Sequence, residues 1–377
     1  MVNQYKKSLK FLKLCEGYNV TDYRLSPNSE VTAFALPFAI YNFNFLGAKS
    51  FIKNNSDILG DKLVENIKLH KEIRSKSCND LAYDKSYLQL LCFTLSALSV
   101  LKKEKKFNLE EEAVSIFKDI SAIRYIKNIK SLEGIPGSGN LSMFYAIILL
   151  YKSKFLNYNI GLELENWLDI HLNNINSNGF WGHRLSNPFL QFQNGYHQYE
   201  IFNYVGNDNL PWIRAARFVS LLADKRGQFA PYPGGGGCYD YDAVFFLTSK
   251  YINVMEYKES LFKLRKTLLI SMNKDGGFCE SQYIRPRSIK NIFLQIEHIA
   301  LAKRSSKLFV LRRILNILLN RNNRIKTHWS NYSRHWNESD LWDTWFRLLA
   351  IARIDKVLNL GLWNWKFPKY IGLGFEP

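Results

Sequence analysis

This chain of 377 residues lacks the features that would place it in several common classes of protein. It has no run of about 18 uninterrupted apolar residues, which argues against a membrane-spanning helix. Lysines interrupt the N-terminal segment where a secretory signal peptide needs a continuous apolar stretch, so we expect a cytoplasmic protein. The five cysteines are odd in number and far apart, which argues against a disulfide framework and indicates reduced thiols.

Acidic residues are also scarce in this chain. The 33 Asp and Glu residues are outnumbered by 51 Lys and Arg residues, which gives a formal net charge of +18. Such an excess suits an acidic substrate, a polyanionic partner, or an anionic membrane surface to which the protein would be peripheral. The lysines are dispersed and no nucleic-acid-binding motif accompanies them, so we expect no nucleic acid among the partners.

A glycine-aromatic motif recurs about every 49 residues in the second half of the chain. Its copies read Asn-Gly-Phe-Trp-Gly from Asn178, Arg-Gly-Gln-Phe from Arg226 and Asp-Gly-Gly-Phe from Asp275. A strongly apolar segment follows each copy at a similar distance. Repetition at this period predicts a supersecondary unit that stacks on its neighbours because it cannot bury its own apolar face.

Apolar periodicity predicts two kinds of helix in alternation, with no strand-like segment between them. One kind has an apolar stripe and a face rich in Lys and Glu, and is expected near 5–16, 60–75, 109–128, 160–175, 211–225, 257–273 and 308–322. The other kind is apolar on nearly all sides, and is expected near 30–46, 84–103, 140–154, 195–206, 240–254, 290–304 and 339–355. Striped helices lie on a surface and apolar ones are buried, so the pattern indicates an outer and an inner ring.

The alternation predicts an all-α fold, an α/α toroid of six to seven helical hairpins that forms one domain over 1–377. Within it we expect less regular hairpins over 1–135, clear repeats over 136–355 and a C-terminal tail over 356–377. An open superhelical solenoid is the alternative, and the apolar, aromatic inner helices favour a closed ring. Parallel inner helices would gather their N-termini, with partial positive charge, at one mouth suited to an anionic substrate.

The richest loop before an inner helix is 230–242, which contains four consecutive glycines. These glycines allow the backbone to approach a ligand closely, and Asp240 and Asp242 follow them in the first turn of the helix. Each aspartate alone is read equally well as an N-cap. With the glycines and the flanking Tyr239, we interpret Asp240 and Asp242 as candidate catalytic acids and Tyr239 as a substrate contact.

Two further loops carry candidate residues. Tyr196 and His197 lie in one helical turn and can serve as an acid and a base, and the preceding loop adds Trp181 and His183 as substrate contacts. The loop after Phe278 contains Glu280, Arg285 and Arg287, and two arginines around a proline suit a carboxylate, phosphate or sulfate group.

The segment 328–347 combines two histidines, three acids, two arginines and four tryptophans in 20 residues. A hydrophobic core has no need of that mixture, because buried charges must be paired at a cost in free energy. We therefore interpret His335 and Asp340 as candidate catalytic residues. Trp329, Trp336 and Trp342 are candidate rings for substrate binding.

The motif at Asp275, with its relatives at Asn178 and Arg226, resembles the repeat of the prenyltransferase and terpene cyclase superfamily, which includes squalene-hopene cyclase. The resemblance implies an α/α toroid that acts on an isoprenoid. Class II cyclases of this superfamily protonate an alkene with the middle acid of Asp-x-Asp-Asp in an aromatic cavity. Here Asp240-Tyr241-Asp242 is followed by Ala243, so Asp242 would be the analogue of the proton donor, with Asp240 beside it, and one acid of the motif is missing.

Two zinc enzymes of similar fold suggest a metal site as a weaker alternative. Cys238 is similar to the cysteine ligand of protein prenyltransferases, with His335 completing the site. Cys238 and Cys279 are similar to the cysteine ligands of lanthionine cyclases, although Glu280 stands where the histidine ligand should follow. No tight ligand spacing supports either arrangement, so we expect that no cofactor is required.

Carbohydrate-active toroids provide an alternative function, because the loop from Asn178 to His183 is similar to one of theirs. In that reading the protein is a hydrolase, lyase or epimerase of an anionic oligosaccharide. Asp240 and Asp340 would flank the glycosidic bond, or His197 and Tyr196 would act as base and acid. A third alternative is a non-catalytic toroid that binds a peptide or glycan. We prefer the isoprenoid enzyme, with a small-molecule substrate.

Overall fold

The computed structural model describes residues 2–107, 109–284, 288–319, 324–361, 363–372 and 374. Within these residues there are fifteen α-helices and four strands of two residues each. The helices are α1 Val2–Leu14, α2 Ala35–Phe45, α3 Lys49–Ser75, α4 Lys85–Leu101, α5 Glu110–Ser115, α6 Ala122–Asn128, α7 Ser138–Leu156, α8 Gly161–Leu172, α9 Pro188–Val205, α10 Trp212–Ser220, α11 Gly237–Leu247, α12 Lys258–Ile270, α13 Ile289–Leu301, α14 Arg304–Leu319 and α15 Leu341–Val357.

Six helices form a closed inner ring. In ring order they are α2, α4, α7, α9, α11 and α15, and α15 packs back against α2. Shorter or striped helices cover the ring from outside: α3 packs on α4, α8 on α7, α10 on α11 and α12 on α15. The all-α toroid predicted from the sequence is therefore confirmed, and the open solenoid is not formed. No described helix has the length and apolar character needed to cross a membrane.

One predicted inner helix lies outside the ring. The segment 290–304 forms α13, but α11 packs directly on α15, so the ring closes without it. The error has a physical cause: α13 has enough apolar residues for a buried helix, yet its apolar side chains face outward. The segment 109–128 also differs from its prediction, because it forms two short helices, α5 and α6, instead of one.

Two small antiparallel sheets connect the loops at the N-terminal end of the ring. Strand β1 (Phe278–Cys279) pairs with β4 (Ser339–Asp340), and β2 (Arg324–Ile325) pairs with β3 (Arg334–His335). The sequence pattern predicted no strands, because pairs of two residues have no periodicity to detect. These sheets place the loop after β1 beside the start of α15.

The glycine-aromatic motif is a repeated turn with constant geometry. Its glycine always has a positive φ, which favours glycine because a side chain would be strained there. In each copy a backbone N–H three residues before the glycine donates to the carbonyl one residue after it. The bonds run from Asn176 to Phe180 (2.8 Å), from Asp224 to Gln228 (2.8 Å) and from Asn273 to Gly277 (2.9 Å), and the glycines are Gly179 (φ 90°), Gly227 (φ 80°) and Gly276 (φ 92°).

This hydrogen-bond register changes the alignment of the three copies. The residue two positions after the glycine is Trp181 in the first copy and Phe229 and Phe278 in the others. All three rings are buried. The structural equivalent of Phe229 is therefore Trp181, although the letters of the motif suggest Phe180.

Residues 363–372 and 374 cover the end of the ring opposite the loops. The Tyr370 hydroxyl donates to the carbonyl of Ile147 on α7 at 2.7 Å. A Cβ atom placed on Gly372 would lie 2.6 Å from the Cβ of Ser96 on α4, and one placed on Gly374 would lie 2.8 Å from the Tyr241 hydroxyl on α11. Contacts with three inner helices close this end of the toroid.

Candidate active site

Two aspartates on α11 occupy different environments because two residues span more than half a helical turn. The Asp240 carboxylate accepts hydrogen bonds from Arg347 Nη1 at 2.7 Å and from the backbone N–H of Phe229 at 2.8 Å. Burial raises the pKa of Asp240 to about 7, against the opposing effect of Arg347. Asp240 thus joins α11, the second repeat turn and α15, and its interactions are those of an anchor.

Asp242 is also buried but has no such partners. Among the described residues, no hydrogen bond to its carboxyl group is found. Burial raises the pKa of Asp242 well above its ordinary value, and the nearby carboxyls of Glu200 and Asp240 raise it further. Asp242 is therefore a buried carboxyl group inside the ring whose surroundings favour its protonated form.

Glu200 on α9 is a second buried acid near Asp242. Burial raises its pKa to about 7, and interactions with Tyr196 and with the backbone of Gly374 oppose that rise. Its Oε1 has no hydrogen-bond partner among the described residues. Sequence reasoning did not select Glu200, although it follows Tyr196 by four residues and so lies on the same side of α9.

We use the name interior space for the region at the mouth where α7, α9, α11 and α15 begin. Side chains of the inner ring remain partly accessible to solvent there, although the surrounding helices are buried. Asn140 Nδ2 lies 2.8 Å from His197 Nε2, and Gln193 Nε2 lies 3.8 Å from Cys238 Sγ, so these groups face one another across adjacent helices. The partly accessible side chains are Asn140, Gln193, His197, Cys238, Tyr239 and Trp342.

Aromatic rings form one wall beside this space. The rings of Trp329 and Trp342 are 4.3 Å apart, and those of Trp342 and Phe346 are 4.5 Å apart. Phe38 packs edge-on against Trp342 at 5.3 Å, and Phe346 lies 5.4 Å from Tyr241, the residue before Asp242. The predicted rings Trp329 and Trp342 therefore lie in one cluster that leads from the mouth towards the acids.

Lys85 begins α4 at the mouth and carries a charge with no acidic partner. The carboxylate of Asp84 is bound by Arg74 instead, at 2.5 Å, and no described acidic side chain forms an ion pair with Lys85. A Cβ atom on Gly137 would lie 3.4 Å from its Nζ, which places the ammonium group against the rim loop before α7. Burial lowers the pKa of Lys85.

The imidazoles near Lys85 are neutral. Burial, with a smaller contribution from the Lys85 charge, lowers the pKa of His197 to about 3 and that of His328 to about 4. The imidazoles beside Lys85 are therefore neutral, although a buried charge normally has a counterion of opposite sign. No sequence motif marked Lys85, because its neighbours Gly137, His197 and His328 lie far from it in the sequence.

Two arginines organise the mouth. Arg334 contacts Asp340 at 2.6 Å, Asp343 at 2.9 Å and Glu280 at 3.4 Å. Arg347 Nη2 donates to the carbonyl oxygen of Gly234 at 3.1 Å. The candidate residues Glu280 and Asp340 are consequently members of an ion-pair network, and Asp340 also accepts a hydrogen bond at 2.7 Å from the backbone N–H of Asp343 as the N-cap of α15.

Other candidates from the sequence lie away from the interior space. Trp181 is buried beside α8, where its indole N–H donates to the carbonyl of His171 at 2.8 Å. His183 is exposed, and His335 is exposed beside Arg324, whose Nη2 lies 2.9 Å from its Nε2. Trp336 packs edge-on against Tyr232. Arg285 and Arg287 lie outside the described residues.

The candidate metal ligands occupy separate positions. Cys238 faces the interior space, Cys279 is buried in β1 and His335 is exposed on β3. Within the described part of the chain, no three His, Cys, Asp or Glu side chains are grouped in a way that could hold a metal ion.

Comparisons with known proteins give a likeness of fold. No protein-family model and no curated protein matches the chain. A solved structure of a variant of the type II terpene cyclase MstE from Scytonema, in complex with geranylgeranyl dihydroxybenzoate, superposes with a TM-score of 0.52 at 11% sequence identity and covers 94% of this chain and 97% of that one. A second variant of the same cyclase in the same complex gives a TM-score of 0.49 at 11% identity, over 95% and 98% of the two chains.

The first of these structures shows that the chain has the helical toroid fold of a type II terpene cyclase. It does so over nearly the whole length of both proteins. These comparisons do not support the carbohydrate-active alternative.

Proposed function

We propose that this protein is an enzyme that cyclises an isoprenoid by protonating one of its alkenes, with Asp242 as the proton donor. The observation that carries the proposal is the environment of Asp242: a buried carboxyl group whose pKa is raised by burial and by neighbouring acids, next in the chain to a residue that contacts the aromatic wall. An acid needs to be neutral at working pH to donate its proton. The cyclase-like toroid supports the same assignment.

The chemistry of such a step is balanced within the substrate. The Asp242 proton adds to one alkene carbon, and the neighbouring carbon becomes a carbocation. The π electrons of a second alkene then close a ring, and the final cation loses a proton, so substrate and product are isomers. Glu200 disfavours the ionised form of Asp242 because two adjacent buried carboxylates repel each other. We assign Glu200 the role of keeping Asp242 protonated.

The aromatic wall would stabilise the carbocation. Ring faces attract cations by about 0.5–2 kcal/mol each, more when water is excluded. Trp342, Phe346 and Tyr241 form a continuous path of rings from the mouth to the residue beside Asp242. The missing third acid of the Asp-x-Asp-Asp motif leaves Asp242 with Glu200, from another helix, as an acidic neighbour.

Lys85 would orient the substrate. Its ammonium group, which forms no ion pair with a described acidic side chain, suits an acidic head group at the mouth, such as a carboxylate or a phosphate, on an isoprenoid whose tail extends into the interior. The neutral state of His197 and His328 leaves Lys85 as the positive charge at that point of the rim.

The test is turnover in D₂O. The purified protein is incubated with geranylgeranyl substrates that carry aryl carboxylate, phosphate or neutral head groups, and products are analysed by mass spectrometry. Protonation of an alkene predicts a cyclic product that contains one solvent deuterium at carbon. Asp242→Asn should abolish this product, because the amide has no acidic proton to donate, and leave the melting temperature near that of the wild type, because the amide has the shape of the protonated carboxyl group.

The matched control is Asp169→Asn, an exposed aspartate on the outer helix α8. It should retain full turnover. Product formation by the Asp242→Asn variant, or a cyclic product without deuterium, would remove Asp242 from the mechanism.

A further inference from the structure

Helix α13 is amphipathic with its polar side directed at the protein. The side chains of Asn291 and Gln295 are buried, and Gln295 Nε2 donates to the carbonyl of Tyr283 at 3.1 Å. His298 lies on the same side, with Nδ1 3.6 Å from Asp224 Oδ2. A helix on the surface of a globular protein normally has the opposite orientation.

The apolar side of α13 is directed at solvent. Ile289 is 77% exposed, Phe293 67% and Ile296 56%, and Ile292 lies between them on the same stripe. Their spacing of three and four residues places them in one row along the helix. Single exposed apolar residues are common on protein surfaces. A contiguous apolar row of this kind, in contrast, marks a contact with a partner or a membrane.

The hairpin of α13 and α14 is also strongly basic. It contains six lysines and arginines and one glutamate between residues 289 and 319. The glutamate, Glu297, is bound by Lys225 at 2.6 Å. All six basic side chains are exposed, and exposed leucines of α14 accompany them. The basic residues are Lys290, Lys303, Arg304, Lys307, Arg312 and Arg313, and the leucines are Leu308, Leu315 and Leu319.

A cleft lies beneath the hairpin, between α13 and the loop after α10. Leu301 and Leu221, which are exposed, line its outer part together with Leu294, and Phe189 lines it at the ring. The ring of Phe189 lies 6.5 Å from that of Tyr239, one of the partly accessible residues of the interior space. The inner end of the cleft is therefore separated from the interior space by the contact between these two rings.

We propose that the α13–α14 hairpin docks the protein on the surface of a bilayer that contains anionic lipids. The row of Ile289, Ile292, Phe293 and Ile296 would enter the boundary between head groups and acyl chains, and the basic residues would contact lipid phosphates. Helices that lie in the membrane interface combine these two features, a large apolar face and a polar side rich in Lys and Arg. The charge of the hairpin selects anionic lipids over neutral ones.

The experiment is vesicle flotation of the full-length protein, with phosphatidylcholine vesicles and with vesicles that also contain phosphatidylglycerol. Wild-type protein should float with the mixed vesicles, and the bound fraction should fall when salt is raised. Ile289→Ser combined with Phe293→Ser should weaken binding by about tenfold or more, because two apolar side chains no longer leave water. Both positions are exposed, so the variant should keep the wild-type melting temperature.

Two controls sharpen the result. Leu162→Ser removes an apolar side chain of similar exposure, 70%, from α8 on the outer ring and should bind like the wild type. Lys303→Glu combined with Arg304→Glu should lose the preference for phosphatidylglycerol. Equal flotation of the wild type and the Ile289→Ser, Phe293→Ser variant would overturn the proposal.

The other occupant of this face would be a second copy of the chain. A dimer in sedimentation equilibrium that the Phe293→Ser change dissociates, without vesicle binding by the wild type, would overturn membrane docking. Vesicle binding requires no turnover, so its outcome is separate from that of the proposed cyclase activity.

Discussion

Arg347 Nη1 lies 2.7 Å from Asp240 Oδ2, and both side chains are almost fully withdrawn from solvent. The pair connects α15 to α11, which are neighbours in the inner ring. Removal of one partner leaves the other charge buried without compensation, which typically costs about 3–5 kcal/mol. We therefore expect Arg347→Met to lower the free energy of unfolding by that amount in urea titrations.

The double variant Arg347→Met, Asp240→Asn should be more stable than Arg347→Met alone, because the unpaired carboxylate is gone. Recovery will be partial, since Arg347 also binds the carbonyl oxygen of Gly234. A single variant as stable as the wild type would mean that the pair contributes nothing to the closure of the ring.

The raised pKa of Glu200 predicts a pH dependence of stability. The folded protein holds the Glu200 proton up to a pKa of about 7, whereas an unfolded chain releases it near the ordinary glutamate value of about 4.3. Between these values the folded state binds more protons, so the free energy of unfolding decreases as pH rises through this window. Melting temperatures measured from pH 4.5 to 8 should show this decline for the wild type.

Glu200→Gln should reduce the decline, because the amide has no proton to lose. The control is Glu165→Gln, an exposed residue of α8, which should leave the pH profile unchanged. A parallel decline in Glu200→Gln and the wild type would assign the effect to other groups, Asp240 first among them.

Lys85 predicts a selective effect on substrate binding. Lys85→Met should raise KM for an isoprenoid with a carboxylate or phosphate head group by about tenfold or more, since a charged hydrogen bond contributes about 1.5–3 kcal/mol. A substrate with a neutral head group should be affected much less, and kcat should change little for either. Steady-state kinetics with both substrates separate this result from a general loss of fold.

A glycine that caps a helix and a glycine of a repeat turn should differ in their tolerance of alanine: Gly206 ends α9, and Gly276 lies in the third repeat turn. Gly206 and Gly276 both have positive φ, but a Cβ on Gly206 meets no atom within 4 Å, whereas one on Gly276 would lie 2.2 Å from the carbonyl oxygen of Lys7. Gly206→Ala should cost about 1 kcal/mol of backbone strain, and Gly276→Ala should cost more, because α1 must also move. Urea denaturation of both variants measures the difference, and equal losses would show that α1 yields without cost.

The sequence predicts the fold better than the site. Helix α13 is the exception, because its position outside the ring was not predicted. Apolar periodicity identifies how many apolar residues a helix has, but it does not say whether they face the ring or the solvent. The apolar residues of 290–304 therefore predicted an inner helix, although the ring closes without it. The other six predicted inner helices are confirmed, because their apolar residues extend around nearly the whole helix.

The site depends on contacts that no local pattern contains. Asp240 and Asp242 were selected from one loop, yet the bond from Asp240 to Arg347 crosses 107 positions of the chain. Lys85 and Glu200 are ordinary residues in the sequence, and they acquire their properties from neighbours on other helices. The roles assigned to Asp242, Asp240, His197 and the other candidates remain predictions that the variants above would test.

Residues 363–372 and 374 cover one end of the toroid, so that the ring has the form of a cup with a closed base. The backbone of this base lies against Glu200 and Tyr241, close to the acid assigned as proton donor. A substrate drawn in tail first would reach this base and stop, so the length of the cup would decide which alkene rests beside Asp242. Substitutions in the base, for example at Tyr370, would then change how far the substrate tail enters and shift the position at which the first ring forms.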